Sequence, residues 1–188
     1  MTHVNTNRFR NGQQASRLDT PWLSKVTIRV LREPDLNALE WDGEYTHFRR
    51  LYRQIFQSTH KGRARMWVAD LSGSGVIGQL FVHLDSTRKE LADGTGRAYI
   101  FGFRVKPAYR GFGLGERMLD IIERDLLNRN YRWVTLNVGR QNQDARRFYE
   151  RLGYRVVAKE PGRWSYLDDR GCRREVHEPS WRMQKQIS

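Results

Sequence analysis

Between Lys25 and Leu31, Val26, Ile28 and Val30 alternate with Thr27 and Arg29, and this period of two predicts a first strand. Pro34, followed by Asp35 and Leu36, marks the start of a short helix. The apolar spacing then lengthens: Phe48, Leu51, Tyr52, Ile55 and Phe56 form one helical stripe. Arg65 to Leu71 and Gly75 to Asp85 read as two strands around the turn Ser72 to Gly75. Residues 86–96 are polar, carry Asp93-Gly94 and Gly96, and make a loop before a strand over 97–105. Leu114, Met118, Leu119, Ile122 and Leu126 share a helix face, and Tyr131 to Val138 form the strand that follows. Ala145, Phe148, Tyr149 and Leu152 recur at i, i+3, i+4 and i+7, so they share one face of a further helix. Tyr154 to Lys159, Arg163 to Asp168 and the stretch around Trp181 to Met183 read as terminal strands, with a turn at Asp168 to Gly171. The order β-α-α-β-β-β-α-β-α-β-β, with room for one more strand, is an α+β arrangement without repeats or a second domain.

One junction in this pattern carries chemistry. Between the strand ending at Val105 and the helix beginning near Leu114 lies Arg110-Gly111-Phe112-Gly113-Leu114-Gly115. Glycines at a helix start let the backbone approach a ligand. The first helical N–H groups have no partner within the helix and sit at the positive end of its dipole, which suits a phosphate or pyrophosphate. Arg110 adds a charge-assisted donor. A mononucleotide P-loop needs Gly-Lys-Ser/Thr, but Glu116 and Arg117 follow Gly115. A dinucleotide fingerprint counted from Gly111 needs a glycine where Glu116 stands. A plain glycine-rich turn is the alternative to a binding loop.

A second segment bears on that choice. Asn142 stands at a helix N-cap, Phe148-Tyr149 lie within the helix, and Gly153-Tyr154 end it and open a new apolar run. The pair of motifs, Arg-x-x-Gly-x-Gly and the later Asn, Phe-Tyr and Gly-Tyr, resembles the GNAT superfamily of N-acetyltransferases over residues 25 to 185. The resemblance implies a mixed, mostly antiparallel central sheet with helices on both faces, splayed after the strand that precedes the glycine loop to admit the acyl-CoA arm.

It also implies direct transfer of an acetyl group from acetyl-CoA to a primary amine on a small molecule, a protein N-terminus or a lysine. The backbone of Gly111, Phe112, Gly113, Leu114 and Gly115, with Arg110, would hold the pyrophosphate. Phe103, Arg104 and Val105 would line the strand edge beside pantetheine, with the Val105 N–H as donor to the thioester carbonyl. Tyr149 matches the family tyrosine near the CoA sulfur and would act as general acid; its place on the apolar face also suits a core tyrosine. Asn142 would contact the CoA arm or cap its helix, Arg146 would reach the adenosine phosphates or solvent, and Phe148 would line the cofactor site. The strand over 97–104 lacks the glutamate that many members use as base. His83 on the preceding strand is the nearest titratable alternative, with Asp85, Glu44, His47 or a water chain as others; a structural histidine is the competing reading.

The chain has 188 residues and a net charge of +13, with basic residues spread along it. That charge suits CoA, and it also admits a nucleic-acid or ribosome partner or a non-catalytic, acyl-CoA-sensing role; solubility and CoA attraction are the favoured explanation. The apolar runs are too short to span a membrane, residues 1–24 read as a mobile basic arm without a secretory signal, and Cys172 is the lone cysteine, so a cytoplasmic protein is expected. The five histidines form no metal-ligand spacing. Both a monomer and a homodimer are compatible with the resemblance.

Overall fold

The structure, a computed structural model, describes residues 20–188; most of the expected N-terminal arm lies outside them. Residues 20–24, read as part of that arm, instead enter a 3-10 turn at Leu23–Lys25. There Trp22 meets Tyr109 and Phe112 edge-on, with ring centroids 5.1 and 5.7 Å away. Arg117 on a later helix anchors the same turn by donating to the Leu23 carbonyl at 2.7 Å.

The first strand β1 (Val26–Val30) is followed by a 3-10 segment, Glu33–Glu40, at the site of the short helix expected from Pro34. The stripe from Phe48 becomes α1 (Arg49–His60). Strands β2 (Ala64–Leu71), β3 (Gly75–His83) and β4 (Arg97–Val105) follow, then α2 (Leu114–Asn128), β5 (Trp133–Gly139) and α3 (Gln143–Arg151). The chain ends with β6 (Arg155–Glu160), β7 (Arg163–Leu167), β8 (Arg173–His177) and β9 (Ser180–Gln186). The extra strand is β8, which leaves the main sheet with β7 to make a separate hairpin, so the sequence order holds while the sheet membership of Arg163–Leu167 does not.

The main sheet has seven strands in the order β1-β2-β3-β4-β5-β9-β6, antiparallel except for β4 beside β5. Its two faces carry different helices. Leu114, Met118, Leu119, Ile122 and Leu126 of α2 are all buried on one face against Leu80, Val82, Ala98, Ile100, Val134 and Leu136. Tyr149 of α3 joins this cluster. Tyr52 and Ile55 of α1, with Leu39 of the 3-10 segment, pack on the opposite face against Met66, Val68 and Phe81. The 3.6-residue periods therefore point their helices at the sheet, and the buried apolar faces supply the dominant stabilisation. Val30 departs from the alternation that predicted β1 and is 40% exposed.

Two irregularities shape the middle of the sheet. Between Gln79 and Phe81 on β3 the partners on β4 jump from Arg104 to Phe101, so β4 carries one additional residue there. The bulge includes Gly102, whose φ of +59° is the left-handed region that favours glycine. The second irregularity is a parting of strands. The β4–β5 ladder runs only from Arg97↔Trp133 to Ile100↔Leu136, and the last five residues of β4 have no partner on β5. The V-shaped opening expected from the resemblance is therefore present.

Candidate functional site

The opening exposes peptide groups in a defined direction. Lys106 N–H donates to the Ile77 carbonyl at 2.8 Å, which makes Ile77 and Lys106 a hydrogen-bonded pair. Antiparallel ladders alternate bonded and non-bonded pairs, so the next pair, Gly78↔Val105, points its peptide groups outward. The Val105 N–H therefore faces the gap, while Arg104 faces β3. The Val105 carbonyl faces the same way and accepts from Arg110 Nε at 2.7 Å. Arg110 is thus tied to the strand end at the rim of the gap.

The glycine loop sits directly beyond. Gly111 and Gly113 have φ of +82° and +87°, and Gly113 is the N-cap of α2 without a capping side chain. The first-turn N–H groups of α2 therefore open toward a ligand. Gly115 answers to a different constraint from phosphate approach: an added Cβ would stand 3.4 Å from both the Phe103 and Phe148 rings. These rings lie 6.4 Å apart, one from β4 and one from α3, and close over the first turn of α2. Leu114 is buried beneath it, and Phe112 is 40% exposed at the rim. An acyl-CoA pyrophosphate and arm fit this arrangement, because the uncapped start of α2 and the strand edge beyond Ile100 both present outward-facing N–H donors.

At the other wall, the Asn142 side chain accepts from Ala145 N–H at 3.0 Å and caps α3. Arg146 pairs with Glu150 at 2.8 Å and lies over the Trp181 ring. Tyr149 is buried, flanked by Phe148 and Tyr154 at centroid distances of 5.2 and 5.6 Å. Burial pushes its phenol far above the usual tyrosine range, with the neighbouring Tyr99 phenol adding to the effect. Tyr99 lies in the paired part of β4, opposite Thr135 of β5. Burial pushes Tyr99 itself up to about 12.

His83 lies in the same neighbourhood. It is paired across the ladder with Tyr99 and stacks on Phe101 at 4.2 Å with an interplanar angle of 11°. Burial lowers its pKa below the ordinary value, so the imidazole is neutral at pH 7. The other base candidates stand differently. Asp85 is paired with Lys89 at 2.5 Å, which lowers its pKa. Glu44 is exposed, and His47 packs 4.2 Å from the Phe48 ring in an aromatic wall.

The Arg104 side chain turns away from the cofactor edge onto the α1 face. It donates to the Tyr52 hydroxyl at 3.0 Å and covers the Tyr45 ring at 4.0 Å. Beside it, Gln79 is fully buried and donates through Nε2 to the Gly102 carbonyl at 3.3 Å, while its Oε1 lacks a partner among the described residues. Sequence reasoning missed Gln79 and Tyr52. Their signal was available in part: Gln79 is the lone polar residue in the apolar run Val76 to Val82.

This geometry agrees with comparisons to known proteins. A model of the acetyltransferase (GNAT) family matches residues 33–154. The 5-NmdU N-acetyltransferase of Pseudomonas phage PaMx11 is 42% identical over 137 residues, covering 73% of this chain and 91% of the relative. Among solved structures, Ard1 from Thermoplasma volcanium superimposes with a TM-score of 0.65 at 20% identity, covering 87% of this chain and 99% of its own. Arabidopsis thaliana NAA60 in complex with acetyl-CoA gives 0.64 at 21%, covering 86% and 98%. No helix among the described residues is long and apolar enough to cross a membrane.

Proposed function

The chain belongs to the GNAT acetyltransferase family and is an acetyl-CoA-dependent N-acetyltransferase, and from that premise we propose that it transfers the acetyl group directly to the amine of a modified deoxyuridine of the 5-NmdU kind. The acceptor is taken from the phage relative, whose similarity spans most of both chains. The observation that carries the catalytic part is the parting of β4 from β5, with the outward Val105 N–H on one side and Tyr149 on the other.

The cosubstrate supplies an activated thioester carbonyl. The loop Gly111 to Gly115 and Arg110 bind its pyrophosphate, Asn142, Arg146 and Phe148 flank it at α3, and Phe103 and Val105 guide the arm along the strand edge, while Arg104 serves the opposite, α1 face. The Val105 N–H stabilises negative charge on the carbonyl oxygen as the amine attacks. His83, neutral at pH 7, accepts the proton that the amine loses. The C–S bond then breaks and Tyr149 donates its proton to the departing sulfur. Its raised pKa keeps it protonated until that moment. The imidazolium and phenolate recombine their proton through solvent, so no net proton is gained or lost by the protein.

The test has two stages. Calorimetric titration with acetyl-CoA, with ATP as control, measures whether the loop selects CoA over any polyphosphate. Incubation of 5-NmdU with acetyl-CoA and enzyme, followed by mass spectrometry, measures transfer. CoA-selective binding with acetylated nucleoside supports the assignment; binding without acetylated nucleoside refutes the acceptor, and equal binding of ATP refutes the loop.

A further inference from the structure

We propose that Arg104 selects the acceptor: its guanidinium donates to the C4 carbonyl of a pyrimidine whose amine hangs from C5, and Tyr52 positions the guanidinium for that contact. This rests on the acceptor reading above and assigns the part of the base that the enzyme reads.

The bulge on β4 decides where the Arg104 side chain goes. In an unbroken strand Phe101, Phe103 and Val105 would share one face of the sheet. The additional residue at the bulge reverses the alternation. Phe101 packs on the α1 side, whereas Phe103 and Val105 pack with the cluster on the α2 side. Arg104 therefore joins Phe101 on the α1 side, where it meets Tyr45, Phe48 and Tyr52. It also belongs to the stretch of β4 that β5 leaves unpaired, and it directly precedes Val105, whose N–H faces the gap.

The guanidinium is held by its face and left open at its edge. It lies over the Tyr45 ring at 4.0 Å and the Phe48 ring at 5.2 Å. Such contacts fix the plane of the group and leave its in-plane N–H donors free. Only Nη1 is engaged, donating to the Tyr52 hydroxyl at 3.0 Å. The other nitrogens of this half-buried side chain are not enclosed by protein. Glu40 of the preceding 3-10 segment is taken by Arg49 at 2.6 Å and by Thr46 at 2.9 Å, so it does not neutralise Arg104. Burial pushes the Tyr52 phenol above its usual range, so Tyr52 accepts as a neutral hydroxyl and adds no negative charge. Other arginines also lack ion pairs; what distinguishes Arg104 is its place on the unpaired end of β4 among aromatic rings.

A planar acceptor fits beside this group. Phe48 meets Tyr166 at 4.8 Å and Trp164 at 6.3 Å, so the guanidinium and the aromatic wall share one half-buried ring. A base lying against the wall can turn its carbonyl edge to Arg104 without crossing the buried core. In a deoxyuridine whose amine hangs from C5, the C4 carbonyl is the neighbouring group, so a contact there also places the amine. A cytosine ring carries an amino group at that position and opposes the donors of Arg104 with donors of its own.

The experiment compares initial rates on the 5-NmdU nucleoside with those on its cytosine analogue, in which an amino group replaces the C4 carbonyl. The wild type is expected to favour the deoxyuridine by about tenfold to a hundredfold in kcat/KM, mainly through KM, the weight of one hydrogen bond from a charged donor. Arg104→Met keeps an unbranched stem and removes the donors, so the preference should fall close to unity. Tyr52→Phe keeps the buried ring and removes the accepting oxygen, so it should narrow the preference in part, through KM and not kcat. Calorimetric titration with acetyl-CoA checks that each variant retains an intact cofactor side. The wild-type comparison and Tyr52→Phe decide the matter even where Arg104→Met does not fold. Equal kcat/KM for the two nucleosides in the wild type, or a preference that survives Arg104→Met, overturns the proposal and leaves the acceptor reading intact. Losses of equal proportion on both nucleosides in the variants make Arg104 and Tyr52 merely structural and overturn it as well. If neither nucleoside is acetylated although acetyl-CoA binds, the acceptor reading falls and this proposal with it.

Discussion

Gly102→Ala isolates the contribution of the β4 bulge. Two penalties meet at this position. The backbone φ of +59° is left-handed, which costs an alanine about 1–2 kcal/mol. An added Cβ would also stand 2.6 Å from Phe81 Cδ2 and 3.0 Å from its Cε2. Phe81 is buried and held edge-on by Tyr52 and Phe101, so its ring has little room to retreat. Overpacking of this kind costs about 1–3 kcal/mol, and the sum is about 2–5 kcal/mol. Two other glycines separate the terms. Gly73 has a φ of +84°, and a Cβ added there would meet nothing within 4 Å, so Gly73→Ala carries the backbone cost alone. Gly96 has neither a positive φ nor a neighbour, so Gly96→Ala should be neutral or stabilising by about 0.4–1 kcal/mol. In thermal denaturation, at roughly 2–4 °C per kcal/mol, Gly102→Ala should lower Tm by about 4–20 °C, Gly73→Ala by a few degrees, and Gly96→Ala not at all. The bulge also sets the register that turns Val105 outward, so kcat should drop in Gly102→Ala even below its melting range. A Tm loss equal to that of Gly73→Ala would show that Phe81 does not constrain the site, and unchanged kcat would sever the bulge from catalysis.

Other expectations follow from the same geometry. Tyr149→Phe should lower kcat by about 10²–10⁴, the usual weight of a general acid, while acetyl-CoA affinity by calorimetry and Tm stay near wild type because the ring remains packed. His83→Gln should remove the acid limb of the kcat/KM profile; in the wild type that limb lies below pH 6.5, since burial lowers the imidazole pKa, and an unchanged limb would assign the base elsewhere. Asp93 tests pH-linked stability. Desolvation pushes its carboxyl up, but the N–H groups of Gly96, Thr95 and Arg97 prevail and hold it at about 2. A depressed carboxylate pKa stabilises above the unfolded value, near 3.9, and its contribution is lost as pH falls toward 2. Asp93→Asn should therefore cost about 1–2 kcal/mol at pH 7, after allowing for solvent screening, and little at pH 2 by urea denaturation.

Local signals made much of this fold legible and non-local ones hid the remainder. The α2 face and the strand over 97–105 were readable because helical and strand periods are written in consecutive residues, and Asn142 declared its cap through spacing alone. The separation of the β7–β8 hairpin was not readable. Arg163–Leu167 has strand composition, but which strand it joins depends on β9 inserting between β5 and β6 from the end of the chain. Arg104 reads as an edge residue because its neighbours in sequence are. Its side chain is claimed instead by Tyr52 and Tyr45, more than fifty positions earlier. Gly115 was legible as necessary but for a different reason, since the rings that crowd it come from β4 and α3.

The two faces of the sheet differ in chemistry. The glycine loop and the N-terminus of α2, which no side chain caps, lie at one edge of the opening and favour an anion. On the α1 face, Phe48, Trp164 and Tyr166 form an aromatic wall beside the exposed Arg50. In an uninterrupted sheet the backbone ladder would separate these faces. The parting of β4 and β5 after Ile100 and Leu136 removes that barrier at one place, where the last five residues of β4 have no partner on β5. A substitution on the α1 face that leaves the sheet intact should thus alter acceptor KM without altering CoA affinity. One in the glycine loop should do the reverse, and one at Gly102 should affect both, because its bulge belongs to the strand that forms the common wall.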